Sequence, residues 1–275
     1  MRVFLQVQCS SSTDQSCGPT TLVAIGGRSG GSQILSSVEV MQVLPSVSAS
    51  KTWSLLNAAL NTARYTHGAA VVNNTIYIVG GSTTNHLNPT PLNSMEAHTV
   101  GSSEWVMKAS MGVDRWFVGV AELEGQVCAT GGQDKSGTYL SSVECYSVPD
   151  DAWSPKASMT QARSHHAAVS LDGYLYVIAG YASGKDLNSV ERYSLGEDAW
   201  NTVASLPGVA RSGVGVATMR KWVFVMGGGQ GGVDYKDVYR YEPGADKWER
   251  MADMGTARHG ERAAVINDVL YAAGG

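Results

Sequence analysis

Along the chain, short runs of alternating apolar and polar residues are broken at close intervals by turn-forming pairs. The stretch from Arg163 to Trp200 shows the pattern in full. Apolar alternation on either side of Asp172-Gly173 predicts a β-hairpin with a two-residue turn. A third run, Ser189-Val190-Glu191-Arg192-Tyr193, follows a loop, and a fourth is centred on Trp200. Four short strands make one unit, and the rest of the chain is that unit recurring.

The recurrence is visible in fixed columns. Glycine pairs end an apolar run at Gly26-Gly27, Gly80-Gly81, Gly131-Gly132, Gly227-Gly228 and Gly274-Gly275, with Ala179-Gly180 as a softened copy. Tryptophans follow at Trp53, Trp105, Trp153, Trp200 and Trp248, and arginines at Arg64, Arg115, Arg163, Arg211 and Arg258. Each of these arginines precedes the second glycine of a pair by 17 residues. That constancy fixes the register of a two-strand hairpin in every repeat. The turns then fall at Asn73-Asn74, Glu124-Gly125, Asp172-Gly173, Arg220-Lys221 and Asn267-Asp268.

Four strands can be named in each repeat. Strand a, just after the arginine, is built of small residues suited to a crowded axis. Strand b is more hydrophobic and ends at the glycine pair. Strand c carries Ser37-Val38-Glu39, Ser94-Met95-Glu96, Ser142-Val143-Glu144 and Ser189-Val190-Glu191, with Asp237-Val238-Tyr239 divergent. Strand d holds the tryptophan, a large surface for packing one sheet on the next.

A glycine pair, Ser-Val-Glu-x-Tyr, a spaced Trp and an Arg, recurring at roughly 50 residues, resembles the kelch repeat of β-propellers. The resemblance covers residues 21–275 and implies an all-β fold of four-stranded antiparallel blades. Ala179 in a glycine pair, Tyr239 in the glutamate column, and Met41 and His98 in the tyrosine column depart from it. The chain supplies most of six blades, starting with a b strand that ends at Gly27 and stopping with one that ends at Gly275. Val3 to Val7 is expected to add a strand a, within an otherwise irregular segment 1–20 that includes a polar loop from Gln8 to Thr20. The expected architecture is a six-bladed kelch-type β-propeller with incomplete terminal blades, truncated at the C-terminus. Five-bladed closure is the alternative.

Composition narrows the classes. A chain of 275 residues can bury a substantial core. The formal charge of −4 argues against nucleic-acid binding, which needs a basic footprint. No run could span a membrane, and the start lacks a signal-peptide pattern. The 4 cysteines are too few for a disulfide scaffold in a chain of this size. Cys128 stands where sister repeats have Tyr77 and Tyr176, so it reads as a buried apolar substitute; Cys145 is on the next strand, and Cys9 and Cys17 are in the irregular segment. Reduced thiols and a cytoplasmic setting are the expectation. Asn73-Asn74-Thr75 fits the glycosylation pattern but reads as a plain turn.

Topology selects a candidate site. With a, b, c and d as antiparallel neighbours, the b–c loops and the d–a connections emerge on one face. Arg64, Arg115, Arg163, Arg211 and Arg258 lie in d–a connections and are expected to ring that face with positive charge. A guanidinium fork matches a carboxylate, and aromatic and Arg side chains are the usual anchors of a binding hot spot. Tyr65, Trp116, Ser164, Ser212 and His259, each next to an arginine, and His166 in the fourth repeat vary around the fixed residue as specificity positions would. The expected occupant is a partner protein or peptide with an acidic segment. The plainer alternative makes each arginine a repeat feature, bonded to loop carbonyls or to a neighbouring blade's Glu in the Ser-Val-Glu motif. On the binding reading, Arg163→Ala with Arg211→Ala abolishes partner capture and leaves the fold intact.

Catalytic signatures are weak. His67, His166 and Glu261 stand at equivalent positions of alternate repeats, a set able to hold zinc or ferrous iron. Metal–ligand bonds of about 2 Å are too short to bridge an axial channel, so no metal or cofactor is expected. No P-loop, nucleophile elbow or spaced Cys/His motif is found. Kelch-resembling copper-radical oxidases need a Tyr–Cys cross-link, and Cys128 and Cys145 lie on sheet strands. The Arg163/His166/Glu261 neighbourhood can imitate a sialic-acid epimerase. The repeats look most like those of kelch-like adaptor proteins, whose propeller selects substrates for a cullin-type ubiquitin ligase; the BTB and BACK regions of those adaptors are not seen. The expectation is a non-enzymatic, protein-binding propeller, with a small-sugar enzyme or a cytoskeletal scaffold as rivals.

Overall fold

The computed structural model describes residues 3–7, 20–29, 33–43 and 53–275. Its sheets follow the repeat. Blade 1 is β1 (Val3–Val7), β2 (Thr20–Ile25), β3 (Val38–Val43) and β4 (Ser54–Leu55). Blade 2 is β5 (Gly68–Val72), β6 (Thr75–Val79), β7 (Met95–Thr99) and β8 (Val106–Lys108). Blade 3 is β9 (Gly119–Leu123), β10 (Gln126–Thr130), β11 (Val143–Ser147) and β12 (Ala152–Lys156). Blade 4 is β13 (Ala167–Leu171), β14 (Tyr174–Ala182), β15 (Lys185–Ser194) and β16 (Ala199–Val203). Blade 5 is β17 (Gly215–Met219), β18 (Trp222–Met226), β21 (Val238–Glu242) and β22 (Lys247–Arg250), its b–c loop forming the small hairpin β19 (Gly229–Gln230) and β20 (Val233–Asp234). The sixth sheet pairs β23 (Arg262–Ile266) with β24 (Val269–Ala273).

All neighbours within a sheet are antiparallel, and the a–b hairpins of blades 2 to 6 turn at the expected residue pairs. Asn73 and Asn74, Glu124 and Gly125, Asp172 and Gly173, and Asn267 and Asp268 have positive φ at both positions, as type I′ turns require. Asn73-Asn74-Thr75 is thus the tip of a hairpin. The expected strand at Val3–Val7 is β1, and it pairs with β2. The loop expected from Gln8 falls, as far as residue 19, outside the described residues, and so do Cys9 and Cys17.

Six a strands circle the axis. β1 packs against β5, β5 against β9, and so on through β13, β17 and β23, which returns to β1. The innermost ring is therefore closed, although the sixth sheet has two strands among the described residues. Small residues such as Gly68, Gly119, Ala167 and Gly215 permit this convergence; a Cβ on Gly119 would lie 2.4 Å from Nε2 of His166.

The core consists of apolar slabs between successive blades. Tyr77, Val79 and Met95 of blade 2 meet Val120, Val127 and Tyr146 of blade 3, and the same arrangement recurs around the ring. The strand-d tryptophans stitch the slabs. Nε1 of Trp105, Trp153, Trp200 and Trp248 donates to the carbonyls of Ala58, Ala109, Ala157 and Ala204, in the linker leading into each blade.

One expectation is overturned. Cys128 on β10 and Cys145 on β11 face each other in register and form a disulfide. Cys128 is buried as expected, but its partner is the thiol across the ladder rather than apolar carbon.

Candidate functional site

The repeated arginines do not form an accessible ring. Arg64, Arg115 and Arg163 are fully buried, and Arg211 nearly so. Nη2 of Arg64 donates to Glu96 at 2.6 Å, that of Arg115 to Glu144 at 2.7 Å, and that of Arg163 to Glu191 at 2.7 Å. Nη1 of each donates to the carbonyl of the first residue of the glycine pair and to that of the strand-c serine, as Arg163 does to Ala179 and Ser189. The planar fork thus ties strand b to strand c within its own blade. Each glutamate also accepts amides of the d–a connection: Glu96 those of Asn61 and Thr62, Glu144 those of Gly112 and Val113, and Glu191 that of Thr160. Burial lowers the pKa of these arginines and the glutamate partner pulls it back. Desolvated guanidinium needs such a partner, so the basic ring is corrected to a set of internal clamps. Arg258 differs: it is half-buried, and its Nη1 donates to the Gly274 carbonyl at 2.6 Å.

The divergent fifth motif explains itself. Tyr239 stands in the glutamate column, but Asp237, in the serine column, accepts Nη1 and Nη2 of Arg211 at 2.6 and 3.1 Å. A shorter carboxylate two residues earlier completes the same clamp.

The glycine pairs belong to the same machinery. The amide of Gly132 donates to the Arg163 carbonyl, and that of Gly81 to the Arg115 carbonyl, so each pair is held by the next blade's arginine backbone. A Cβ on Gly131, at φ 53, would lie 2.4 Å from the Arg163 carbonyl oxygen, too close for any side chain.

On the face carrying the d–a connections and b–c loops, the residues around the arginines are ordered in a second pattern. The residue after each arginine pairs with the one after the glycine pair: Tyr65 with Ser82, Trp116 with Gln133, Ser164 with Tyr181, Ser212 with Gly229. One position further on, Thr66, Phe117, His165, Gly213 and Gly260 all have positive φ. The amide of Phe117 donates to Thr66, His165 to Phe117, Gly213 to His165, and Gly260 to Gly213. These residues form a backbone-bonded arc around the mouth of the channel. For Thr66, Phe117 and His165 the left-handed backbone costs roughly 1–2 kcal/mol each, strain of the kind that gathers at functional sites.

Above the arc lies a hollow of ≈ 600 Å³ lined by Arg28, Tyr65, His86, Trp116, Phe117 and His165, among others. Tyr65 and Trp116 meet edge-on with centroids 6.3 Å apart, Trp116 tilts against Phe117 at 4.5 Å, and Phe117 stacks on His165 at 3.4 Å. Arg28 is exposed at the edge, 3.4 Å from Nδ1 of His86. Burial, and then the charges of Arg262 and His259, lower the His165 pKa to about 4, so its ring is neutral at physiological pH. Of the expected site residues, the hollow unites Tyr65 and Trp116. A second hollow of ≈ 250 Å³ contains Ser212 and His259, with Nδ1 of His259 2.7 Å from Asp234. Ser164 is buried beneath Tyr181, its hydroxyl 2.8 Å from Nδ1 of His165. Arg28 and Phe117 were not singled out from the sequence. The second position after each arginine carries the signal, since it varies (Thr, Phe, His, Gly, Gly) within an otherwise fixed frame.

His67, His166 and Glu261 do not converge. Each is buried against the glycine pair of the preceding blade: His67 at Gly26, His166 at Gly131, Glu261 at Gly227. His166 Nε2 is 2.9 Å from the Thr130 hydroxyl, and among the described residues no His, Cys, Asp or Glu group is arranged to hold a metal. His166 is therefore moved from the partner-binding rim to the channel wall. Burial raises the Glu261 carboxyl to about 7, with nearby backbone amides and Arg262 offsetting part of the effect. Arg262 lies in the channel, where His166 and the small a-strand residues surround a cavity of ≈ 120 Å³.

Comparison with known proteins agrees with this architecture. The family model described as KLHDC2/KLHL20/DRC7 Kelch-repeats domain matches residues 117–275, and that of the Kelch motif matches residues 63–112. Kelch-like protein 28 of Homo sapiens is 37% identical over 122 residues, covering 43% of this chain and 20% of that protein. Kelch-like protein 41a of Danio rerio is 29% identical over 117 residues, covering 42% and 19%. The chain thus spans about a fifth of the length of these curated relatives. A solved structure titled "Structure of YjhT" superposes with a TM-score of 0.80 over 100% of this chain and 91% of that one. Its 14% identity makes that a likeness of fold. With the clamp recurring from blade to blade and the family model matching more than half its length, the chain belongs to the kelch-repeat family of β-propellers.

Proposed function

We propose that this propeller is a non-enzymatic protein-interaction module that binds a partner peptide on the face formed by the d–a connections and b–c loops. The observation that carries the reading is the aromatic hollow of Tyr65, Trp116 and Phe117 with Arg28 at its edge. Rigid aromatic walls suit an apolar anchor residue, and an exposed guanidinium suits an acidic neighbour. The acidic-segment preference therefore rests on Arg28 and not on the repeated arginines. Membership of the kelch family, and likeness to kelch-like proteins over part of their length, support substrate recognition for a cullin-type ubiquitin ligase as the cellular role. A cytoplasmic setting belongs to the same proposal. No helix among the described residues is long and apolar enough to cross a membrane.

The test compares partner capture from cell extract by the wild-type chain, Arg28→Glu and Phe117→Gly. Phe117 has φ 50, so glycine removes the ring while relieving backbone strain, and Arg28 is exposed; both variants should fold. The expected result is loss of the same captured protein by both variants, with capture by the wild type weakened at raised salt. Unchanged capture by both folded variants would sink the proposal.

A further inference from the structure

One column of the repeat changes character at the axis. Four residues after the repeated arginine stand Gly68, Gly119, Ala167 and Gly215, the small residues that open strand a in blades 2 to 5. The sixth sheet has Arg262 there, as the first residue of β23. Its side chain lines the channel, where its counterparts leave space. In the four-stranded blades strands b, c and d lie outside strand a, so the surroundings of Arg262 are set by the closed inner ring.

This half-buried arginine lacks a counter-ion. Among the described residues its guanidinium forms no ion pair, and Nη1 donates to the Glu261 carbonyl at 3.3 Å. The clamp arginines Arg64, Arg115, Arg163 and Arg211, by contrast, each hold a carboxylate at 2.6–2.7 Å. Glu261 precedes Arg262 in sequence but is buried against Gly227, and adjacent side chains of an extended chain point to opposite faces. Burial lowers the Arg262 pKa, with Glu261 offsetting part of the effect, yet a guanidinium keeps its proton in proteins. A cation partly withdrawn from water therefore calls for an anion.

Room for one lies beside it. The cavity of ≈ 120 Å³ that Arg262 lines is walled by Val118, Val120, Val214 and Val216, and approaches the roughly 150 Å³ of an apolar cavity that admits benzene. A narrower cleft of ≈ 20 Å³ sets Arg262 beside Thr66, Phe117, His165 and Gly213 of the arc, so the guanidinium stands between the cavity and the mouth. His166 adds no second cation: its Nε2 is 2.9 Å from the Thr130 hydroxyl, and burial, then the charge of Arg163, hold its pKa well below the usual histidine value. We propose that the axial channel binds a small organic monocarboxylate, its head on Arg262 and its apolar body against the valines of blades 3 and 5. One guanidinium balances one carboxylate, and its planar fork matches the two oxygens. Phosphate would bring further charge and further acceptor oxygens, which valine walls leave unsatisfied. A body of about four carbons suits the volume. The site lies below the arc and is separate from the hollow of Tyr65 and Trp116 above it.

Butyrate is the probe of that size and charge. Calorimetric titration of the 275-residue chain with sodium butyrate, in a buffer free of other carboxylates, is expected to give saturable one-to-one binding of about millimolar affinity or tighter. Butyrate should also raise Tm, as any ligand of the folded state does. Butyramide has the same shape without the charge and is expected to bind about tenfold or more weakly, the worth of one charge-assisted hydrogen bond. Inorganic phosphate is expected to bind more weakly than butyrate. Arg262→Ala places at the axis the residue type that Ala167 supplies in blade 4, so the variant should fold and lose butyrate affinity by about tenfold or more. The comparison of butyrate with butyramide uses the wild-type protein and does not depend on how the variant folds. Four results overturn the proposal: no saturable binding of butyrate, equal binding of butyramide, tighter binding of phosphate, or unchanged butyrate binding by folded Arg262→Ala.

Discussion

Arg163 shows what a side chain does when a repeat buries it. Its fork spends four hydrogen bonds on Ala179, Ser189 and Glu191. Removing it leaves the Glu191 carboxylate uncompensated in the interior, and breaking a buried pair in that way costs about 3–5 kcal/mol. Arg163→Ala should therefore shift the urea midpoint strongly, and Arg163→Ala with Arg211→Ala should not give a folded protein that has merely lost its partner. A variant with an unmoved midpoint would contradict the clamp. Glu261 sets a pH dependence of the opposite kind. Its folded carboxyl titrates at about 7, against roughly 4.3 in an unfolded chain. Between those values the folded state holds a proton that the unfolded state has released, so its contribution is full below the lower value and is lost as pH rises through the upper one. Glu261→Gln removes the titration. Thermal unfolding should show the variant matching wild type near pH 4 and exceeding it near pH 8; equal midpoints near pH 8 would count against it.

At the scale of the element, the disulfide joins the central strand of blade 3 to its neighbour. It closes a separation of 17 residues, which the chain-entropy account values at about 3 kcal/mol. Cys128→Ala with Cys145→Ala should lose stability of that order in denaturant, and reductant should have little effect on the double variant. Alkylation of the protein taken from its native source bears on compartment as well: modification of Cys128 and Cys145 fits a reducing cytosol, whereas protection of that pair fits an oxidising one. The pairing was within reach of the sequence, because the repeat aligns Cys128 with Tyr77 and Tyr176, whose ladder partners are Ala97 and Arg192. Carrying that register across would have set Cys145 opposite. Hairpin turns, strand order and the glycine columns were legible because period-two patterning and turn chemistry are local. The arginine clamp was less so. A column of arginines fixes where the side chain starts, while its direction depends on the carboxylate that strand c places within its reach. The strained arc of Thr66, Phe117 and His165 was hidden for a related reason, since nothing local distinguishes a left-handed phenylalanine from an extended one.

For the whole molecule the decisive contact is made by the first strand. β1 lies between β5 and β23, so the N-terminal segment joins the first and last sheets into one ring. Without it, blades 1 to 5 and the sixth sheet would form an open row, each stabilised only by its neighbours. Linear repeat arrays behave in that way, with stability summed from unit and nearest-neighbour terms and with loss of all-or-none unfolding as the array lengthens. A closed ring couples every blade to two others, and the slab of Met41, Ala264 and Ile266 between blades 1 and 6 depends on that closure. The intact chain should therefore unfold in a single calorimetric transition whose van't Hoff and calorimetric enthalpies agree. A chain lacking residues 1–7 should melt at lower temperature and over a broader range, with the calorimetric enthalpy exceeding the van't Hoff value. Protease should then cut first in β23 and β24, where β23 loses β1 and keeps only β17 beside it, while blades 3 and 4 remain protected. If the shortened chain melts as sharply and as high as the intact one, closure through β1 contributes nothing to cooperativity, and the propeller must be held by its blade-to-blade slabs alone.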